Sequence, residues 1–504
     1  MSVYPVTPPP SGFEAAVATF GRLVDQLTGD ALGGADHAAA ERFVHREGTE
    51  VMRQLFEAWL NARAESEAVR DVVGSDQVTR THHRSAARPI ESVFGTVTVV
   101  RDRVGARGSS ALTPVDAVLN LSANRFSFGV LERVAREAIR GSYASTVEAV
   151  GATTGAVVAK RQAEELVSAA AVDFDAFYKE TAFDPVDADG DPRLMVITAD
   201  GKGIVMRAEG LRPATRAKAA KSRHKLASRL SKGEKRNRKR MAMVAAVYDL
   251  DVCPRSAAEV FGDLTGSARK PRPKPKQKRV WASVEKEAGD VIGEAFAEAD
   301  QRDPDHRRRW VVLVDGSAAQ IAAIRSAARK AKVKVTLVLD FIHVTEYVWA
   351  AAWDLFKEGD AAAEDWVRRY LLQILEGRAS TVAAAIRRSA TCRKLEKRTN
   401  IDKAAQYLLG HVDMLRYDEF LRDGLPIATG VIEGACRYLV KDRMDITGAR
   451  WGLPGAEAVL RLRSLHASGD LDQYWEFHRE REFARNHASH YASGEMHWLA
   501  RAAA

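Results

Sequence analysis

Apolar residues recur at three- and four-residue spacing from Phe13 to Leu27 and from Ala38 to Val73, which predicts two amphipathic helices. The period changes to two at Phe94 to Val104. There Val97, Val99 and Arg101 alternate with Thr98, Val100 and Asp102, predicting a short β segment. Helical spacing resumes after Pro114-Val115-Asp116. Residues 127–170 read as a helix, a break at Gly141, a short helix Ala144 to Val150, a tight Gly151-Ala152-Thr153-Thr154-Gly155 and a last helix Ala156 to Val167. That pattern fits a helix-turn-helix with Lys160 and Arg161 able to face DNA. It equally fits a plain helical hairpin in a dimerisation region.

From Leu194 the texture becomes β-like. Apolar runs lie at Leu194–Ala199, Gly203–Met206, Met241–Tyr248, Trp310–Val314 and Val333–Leu339. The first three suit an antiparallel meander, with Asp200-Gly201 as a hairpin signal. The last two, separated by a helix over Ser317 to Ala331, suit buried parallel strands. The sum is an α/β class with a mixed five-stranded sheet ordered β-β-β-α-β-α-β. Lys270-Pro271-Arg272-Pro273-Lys274-Pro275-Lys276 reads as an extended basic loop. After Leu339 the pattern is helical again, beginning with Phe341 to Phe356 and broken at Gly424-Leu425-Pro426.

This divides the chain into a tail (1–12), a mainly helical region (13–190) for DNA binding or oligomerisation, and the first part of an α/β core (191–356). A helical insertion (357–425), the final core helix (426–452) and a helical C-terminal segment (453–504) follow. Met1 to Gly12 is proline-rich and lacks the layout of a signal peptide. No apolar stretch approaches membrane-spanning length. Cys253, Cys392 and Cys436 fit no zinc spacing and suggest reduced thiols in a cytosolic protein, while the alanine and arginine enrichment suggests a bacterial source.

Charge changes the picture more than composition does. The formal net charge is +9, but it is uneven. Residues 211–240 hold thirteen Lys and Arg against one acid, Glu234, and residues 269–279 hold seven with no acid. The remainder is net acidic. Two basic tracts on an acidic protein point to a polyanion such as double-stranded DNA. Solvated basic loops would look the same.

Three acids supply candidate chemistry. Asp200 ends one apolar run, Asp315 ends another, and Glu433 lies in the first turn of a predicted helix that Thr429 could cap. Each has an ordinary role open to it: hairpin turn, helix cap, or helix-start acid favoured by the dipole. A Ser317/Gln320 capping box leaves Asp315 unneeded as a cap. Where the first and fourth strands are neighbours, Asp200 and Asp315 can meet, and the helix can add Glu433. Such a cluster binds hard cations such as Mg²⁺, two of which suit phosphoryl transfer. Asp340 is a rival ligand, since it ends the fifth run, and His343 follows on the same helix start. Arg437 and Lys441 continue the Glu433 stripe at i+4 and i+8. Arg443 and Arg450 could hold phosphates, and Trp451 could stack on a base or be buried over an arginine.

The segments Asp200-Gly201, Val314-Asp315-Gly316, Asp340-Phe341-Ile342-His343, Gly430-Val431-Ile432-Glu433-Gly434, Lys441-Asp442-Arg443-Met444 and Thr447-Gly448-Ala449-Arg450-Trp451 resemble the ISKra group of bacterial insertion-sequence transposases. The tract Lys235-Arg236-Asn237-Arg238-Lys239-Arg240 ahead of a β run matches as well. The resemblance implies an RNase H-like, Asp-Asp-Glu catalytic core with a helical insertion before the glutamate. It implies DNA cleavage and strand transfer at terminal inverted repeats and target DNA, by a homodimer or larger assembly. Val104 to Ser110 lacks the cysteines common in the group, so no metal knuckle is expected there. A catalytically silent DNA-binding relative and a structure-selective nuclease of the same fold are the alternatives.

Overall fold

A computed structural model describes residues 11–67, 71–181, 193–221, 231, 234, 238–261, 272–446 and 448–492. Most of the expected tail and parts of the two basic tracts, including Lys235, Arg236 and Lys270, lie outside the described residues. No helix among the described residues is long and apolar enough to cross a membrane. The chain divides into two compact units, one built from the stretch up to Lys179 together with Leu471 onward, the other from Glu180 to Asp470.

In the first unit, helix Glu14–Thr28 packs against helix His37–Ser66. The latter stops at Ser66, and Val72–Val73 instead forms strand β1, paired with β2 (Thr79–Arg80). The β segment seen in the sequence is the middle of a three-stranded antiparallel sheet. It comprises β3 (His82–Ser92), β4 (Gly95–Ala106) and β5 (Ser109–Leu112). Strand β3 escaped the pattern because its first half is solvent-facing and polar, so it lacks alternation. Leu60 and Ala64 pack on the buried Ile90, Val97 and Val99.

Three further helices follow, Phe128–Ala138, Tyr143–Thr153 and Lys160–Ala170, the first two capped by Ser127 and Ser142. The last begins four residues later than the pattern predicts. Glu91, buried beneath it, accepts the Val157 N–H at 2.8 Å and holds that stretch extended. Lys160 and Arg161 are exposed, and Arg161 pairs with Glu165. Helix Leu471–Asn486 docks on this bundle, where the Tyr474 hydroxyl donates to the Ala170 carbonyl at 2.7 Å.

The second unit is mixed α/β around a five-stranded sheet ordered Val335–Leu339 (β10), Trp310–Val314 (β9), Leu194–Val205 (β6), Lys239–Leu250 (β7), Lys276–Ser283 (β8). Strand β6 (Leu194–Val205) runs unbroken through Asp200-Gly201 and pairs antiparallel with the equally long β7 (Lys239–Leu250). The hairpin expected at Asp200-Gly201 is therefore absent. Gly201 instead makes room, since a Cβ there would lie 3.0 Å from the Met241 side chain. The third strand is β8 (Lys276–Ser283), into which the basic Pro-rich stretch leads, and not Gly203–Met206. Strands β9 (Trp310–Val314) and β10 (Val335–Leu339) add in parallel on the other side of β6.

The residues that make this sheet are continuous apolar runs because both faces are covered. Met195 to Ile197, Val244 to Val247 and Val311 to Leu313 are buried. Helix Leu453–Ser468 closes the β8 edge, with Ser464, Ser468 and Glu457 accepting the backbone N–H groups of Ala282, Val280 and Val284. An unpaired edge is thereby satisfied by side chains. Helices Ala361–Leu375, Ala379–Cys392, Thr399–Gly410 and Tyr417–Arg422 form the insertion before the glutamate helix.

Candidate metal centre

Asp315 and Asp340 follow directly on the carboxyl ends of β9 and β10, while Asp200 lies within β6. Thr198 pairs with Leu313, and Leu339 with Val314. Counting on from those pairs sets Asp200, Asp315 and Asp340 level on three adjacent strands. Glu433 arrives on the helix Gly430–Ala435, which packs over β6 and β7.

Asp340, His343 and Glu433 form a group whose ligand atoms all lie within 4.8 Å of one another. Sequence reasoning placed Asp340 second to Asp315, because β10 lies one strand further from β6. The structure brings Asp340 to Glu433 through the turn preceding the helix. Phe341 N–H donates to the Ile427 carbonyl at 2.8 Å, and Asp340 Oδ2 accepts both the Thr429 N–H (3.3 Å) and its hydroxyl (3.0 Å). Thr429 thus binds Asp340 and does not cap its own helix with its side chain. Asp340 also caps helix Phe341–Ala352 by accepting from Ile342 N–H at 2.8 Å.

Asp315 is not part of this group. Its Oδ1 accepts the Ser317 N–H at 2.8 Å, and its carbonyl accepts the Tyr407 hydroxyl at 2.8 Å. The expected Ser317/Gln320 capping box does not form, because Gln320 donates to the Ala199 carbonyl at 2.6 Å. That bond ties the helix after β9 to β6 just before Asp200. Gly316 turns with φ +93°, and a Cβ there would meet Tyr407 at 2.8 Å. The insertion helix Thr399–Gly410 is therefore seated directly on the Asp315 turn.

Asp200 is reached from the glutamate helix by Cys436, whose thiol donates to Asp200 Oδ2 at 3.3 Å. Burial, followed by the Asp200 charge, pushes that thiol well above its usual range. Cys436 shares the buried face of the helix with Ile432 and Leu439. Its contact with Asp200 was not foreseen, although its position three residues after Glu433 is the signal that could have shown it. The helix passes into a π segment at Cys436–Lys441. Arg463 donates to the carbonyls of Tyr438 and Leu439, the latter at 2.8 Å. Arg463 is itself pushed down to about 10 by burial and the nearby Arg443 charge.

Electrostatics show what this cluster lacks. Burial pushes the Asp340 carboxyl above the usual carboxylate range despite its hydrogen bonds. Glu433 is also raised, first by burial, then by the Asp340 charge, with Glu346 and Asp200 adding to it and His343 opposing. Among the described residues, no Lys or Arg forms a salt bridge with Asp200, Asp315, Asp340 or Glu433. A second acidic group, Asp173, His478 and Glu482 in the other unit, has comparable ligand spacing. There Arg485 bridges Asp173 and Glu482 and already supplies the positive charge. Asp340, His343 and Glu433 therefore fit a bound cation better than the second group does. Like carboxylates held together without a counter-charge favour a metal ion.

The cationic residues divide by exposure. Lys239, Arg437, Lys441 and Arg450 are exposed. Arg240 donates to the carbonyls of Val284, Gly210 and Glu285, which makes it a structural strut and not a free phosphate ligand. Arg238 is half-buried. Arg443 and Trp451 are both buried and stacked at 4.8 Å, and the indole donates to the Met444 carbonyl at 3.0 Å. Of the two roles open to Trp451, burial over an arginine is the one the structure shows, and Arg443 is that arginine and not an exposed phosphate ligand. No protein-family model matches this sequence, and a comparison with curated protein sequences gives no match either.

Proposed function

We propose that the chain is a metal-dependent DNA transposase with an RNase H-like, Asp-Asp-Glu core, of the kind its motifs resemble in the ISKra group. The observation that carries this reading is the grouping of Asp340 and His343 with the helix glutamate Glu433, beside Asp200 and Asp315 on the adjacent strands, with no Lys or Arg salt bridge to any of these acids among the described residues. The sheet supports it: an antiparallel three-strand meander extended by two parallel strands beside its first strand is the RNase H-like order.

On this reading Asp200, Asp315 and Glu433 hold divalent ions, and Asp340 and His343 complete or orient the site. Two Mg²⁺ or Mn²⁺ ions held by these residues would supply activation of an attacking water or 3′-hydroxyl and charge stabilisation at the leaving oxygen. The protein's own part is positional. Thr429 and Asp340 fix the start of the glutamate helix, and Cys436 holds Asp200 against it. Arg463 satisfies carbonyls within the π segment. Exposed Arg437 and Lys441, which follow Glu433 along the chain, would meet phosphates of double-stranded DNA at the element ends.

The test is incubation of the full chain with the element's own ends and Mg²⁺, scoring nicked and joined products separately. Asp200→Asn, Asp315→Asn and Glu433→Gln are each expected to abolish cleavage while DNA binding persists. Full cleavage by one of them removes that residue from the site. Cutting of branched DNA without joining would favour a structure-selective nuclease, and binding without cutting a silent relative.

A further inference from the structure

The helical hairpin at the start of the first unit has an apolar face with no partner among the described residues. Helix Glu14–Thr28 buries only Ala16, Thr19 and Leu23. Beside that face it exposes Val17, Phe20, Val24 and Leu27, with Phe20 56% exposed. Helix His37–Ser66 uses one side for the β3–β4 sheet and another for the first helix. It also exposes Val44, Met52, Leu55 and Trp59, the last 47% exposed. At 3.6 residues per turn, each set of four falls within roughly 80° of arc. Each is therefore a stripe and not a scatter of surface residues.

We infer that this face is where a second copy of the chain docks, two hairpins packing about a two-fold axis as a four-helix bundle. Helices that carry apolar residues on two adjacent faces suit such a bundle, where each packs against two neighbours. The exposed parts of these side chains amount to roughly 600 Å² per copy, and with a polar rim this approaches the ~800 Å² per partner of a standard interface. A patch of that size is at the upper limit of what monomers leave exposed. A two-fold interface is self-complementary, so one stripe serves both sides.

Gly21 and Gly48 provide a second observation. Both sit inside helices, where glycine is unfavourable, and a Cβ at either would meet nothing within 4 Å. In the helical projection each lies on or beside its stripe. Open glycines there permit close approach of a partner helix. Nucleic acid is a poor occupant for this face, because the eight stripe residues carry no charge for phosphates. The inference does not depend on the catalytic reading.

The experiment is sedimentation of the nucleic-acid-free full chain across a dilution series. A species of twice 55.3 kDa that dissociates on dilution is expected. The double variant Phe20→Glu, Trp59→Glu should sediment as the monomer with its thermal transition retained. Hydrogen exchange on the wild type guards against a variant that misfolds: protection of residues 14–28 should rise with concentration. A monomer at every concentration, a dimer unaffected by the double variant, or protection independent of concentration would each overturn the inference.

Discussion

The Thr429 hydroxyl donates to Asp340 Oδ2 at 3.0 Å, joining the turn before the glutamate helix to the end of β10. Both residues are buried. This bond, together with the Thr429 N–H, is what places Glu433 beside Asp340 and His343. Thr429→Val removes the hydroxyl donor from a buried carboxylate at nearly constant volume. The expected cost is about 1–3 kcal/mol in urea unfolding. Loss of the Mg²⁺-induced rise in melting temperature should accompany it. Unchanged stability and an unchanged metal response would remove Thr429 from the scaffold.

Asp340 and Glu433 are both raised in the folded chain. Between the unfolded carboxylate value of about 4 and the raised folded values, the folded state holds more protons than the unfolded state. The stability these groups contribute is therefore fully present below that window and lost as pH rises through it. Metal-free protein should become less stable across the window, and Mg²⁺ should offset the loss above it, since ligation needs the deprotonated groups. Glu433→Gln should flatten the pH dependence and abolish the metal offset. Thermal melts with and without Mg²⁺ read both effects.

Arg463 holds the carbonyls of Tyr438 and Leu439 inside the π segment, one turn beyond Glu433. Arg463→Met keeps the bulk and removes the donors. DNA end cleavage is expected to fall by about 10–100-fold, as for a residue that supports metal ligands. The apparent Mg²⁺ requirement should rise. A variant with normal metal dependence would show that the π segment does not need this support.

Arg240 and Lys239 are neighbours in sequence with different surroundings. Arg240→Ala leaves three carbonyls without their donor, and should cost about 1–3 kcal/mol with little change in the salt dependence of DNA binding. Lys239→Ala and Lys441→Ala should leave stability intact and reduce the salt slope by about 1 each. Binding isotherms at several salt concentrations decide the matter.

Asp116 accepts Arg101 at 2.7 Å and Arg88 at 3.0 Å in the first unit. Asp116→Ala would leave two largely enclosed guanidinium groups without their counter-ion. The expected loss is about 3–5 kcal/mol. Denaturant titration followed by circular dichroism measures it.

Runs of apolar residues specified strands β6, β7, β9 and β10, because a strand covered on both faces must be apolar throughout. They also specified the helices at either end of the chain. The same pattern could not reveal β3, whose exposed first half has no alternation, nor β8, which begins in a lysine-rich stretch. Asp200-Gly201 reads locally as a turn, and only an equally long β7 alongside it makes the strand continue. Ser317 and Gln320 read locally as a capping box, yet Gln320 is drawn to Ala199 once the helix packs beside β6.

Order along the chain alone placed Asp200, Asp315 and Asp340 at the ends of apolar runs and clustered cations in residues 211–240 and 269–279, but it could not show that β6 continues past Asp200. Only the tertiary structure decided which of those groups meet. Asp340 joins His343 and Glu433 because Thr429 and Ile427 bring the glutamate helix to the end of β10, 89 residues after Asp340. Arg240, Arg443 and Trp451 became supports and not surface contacts for the same reason. Burial and hydrogen-bond partners are set by packing between distant segments, which no local pattern encodes.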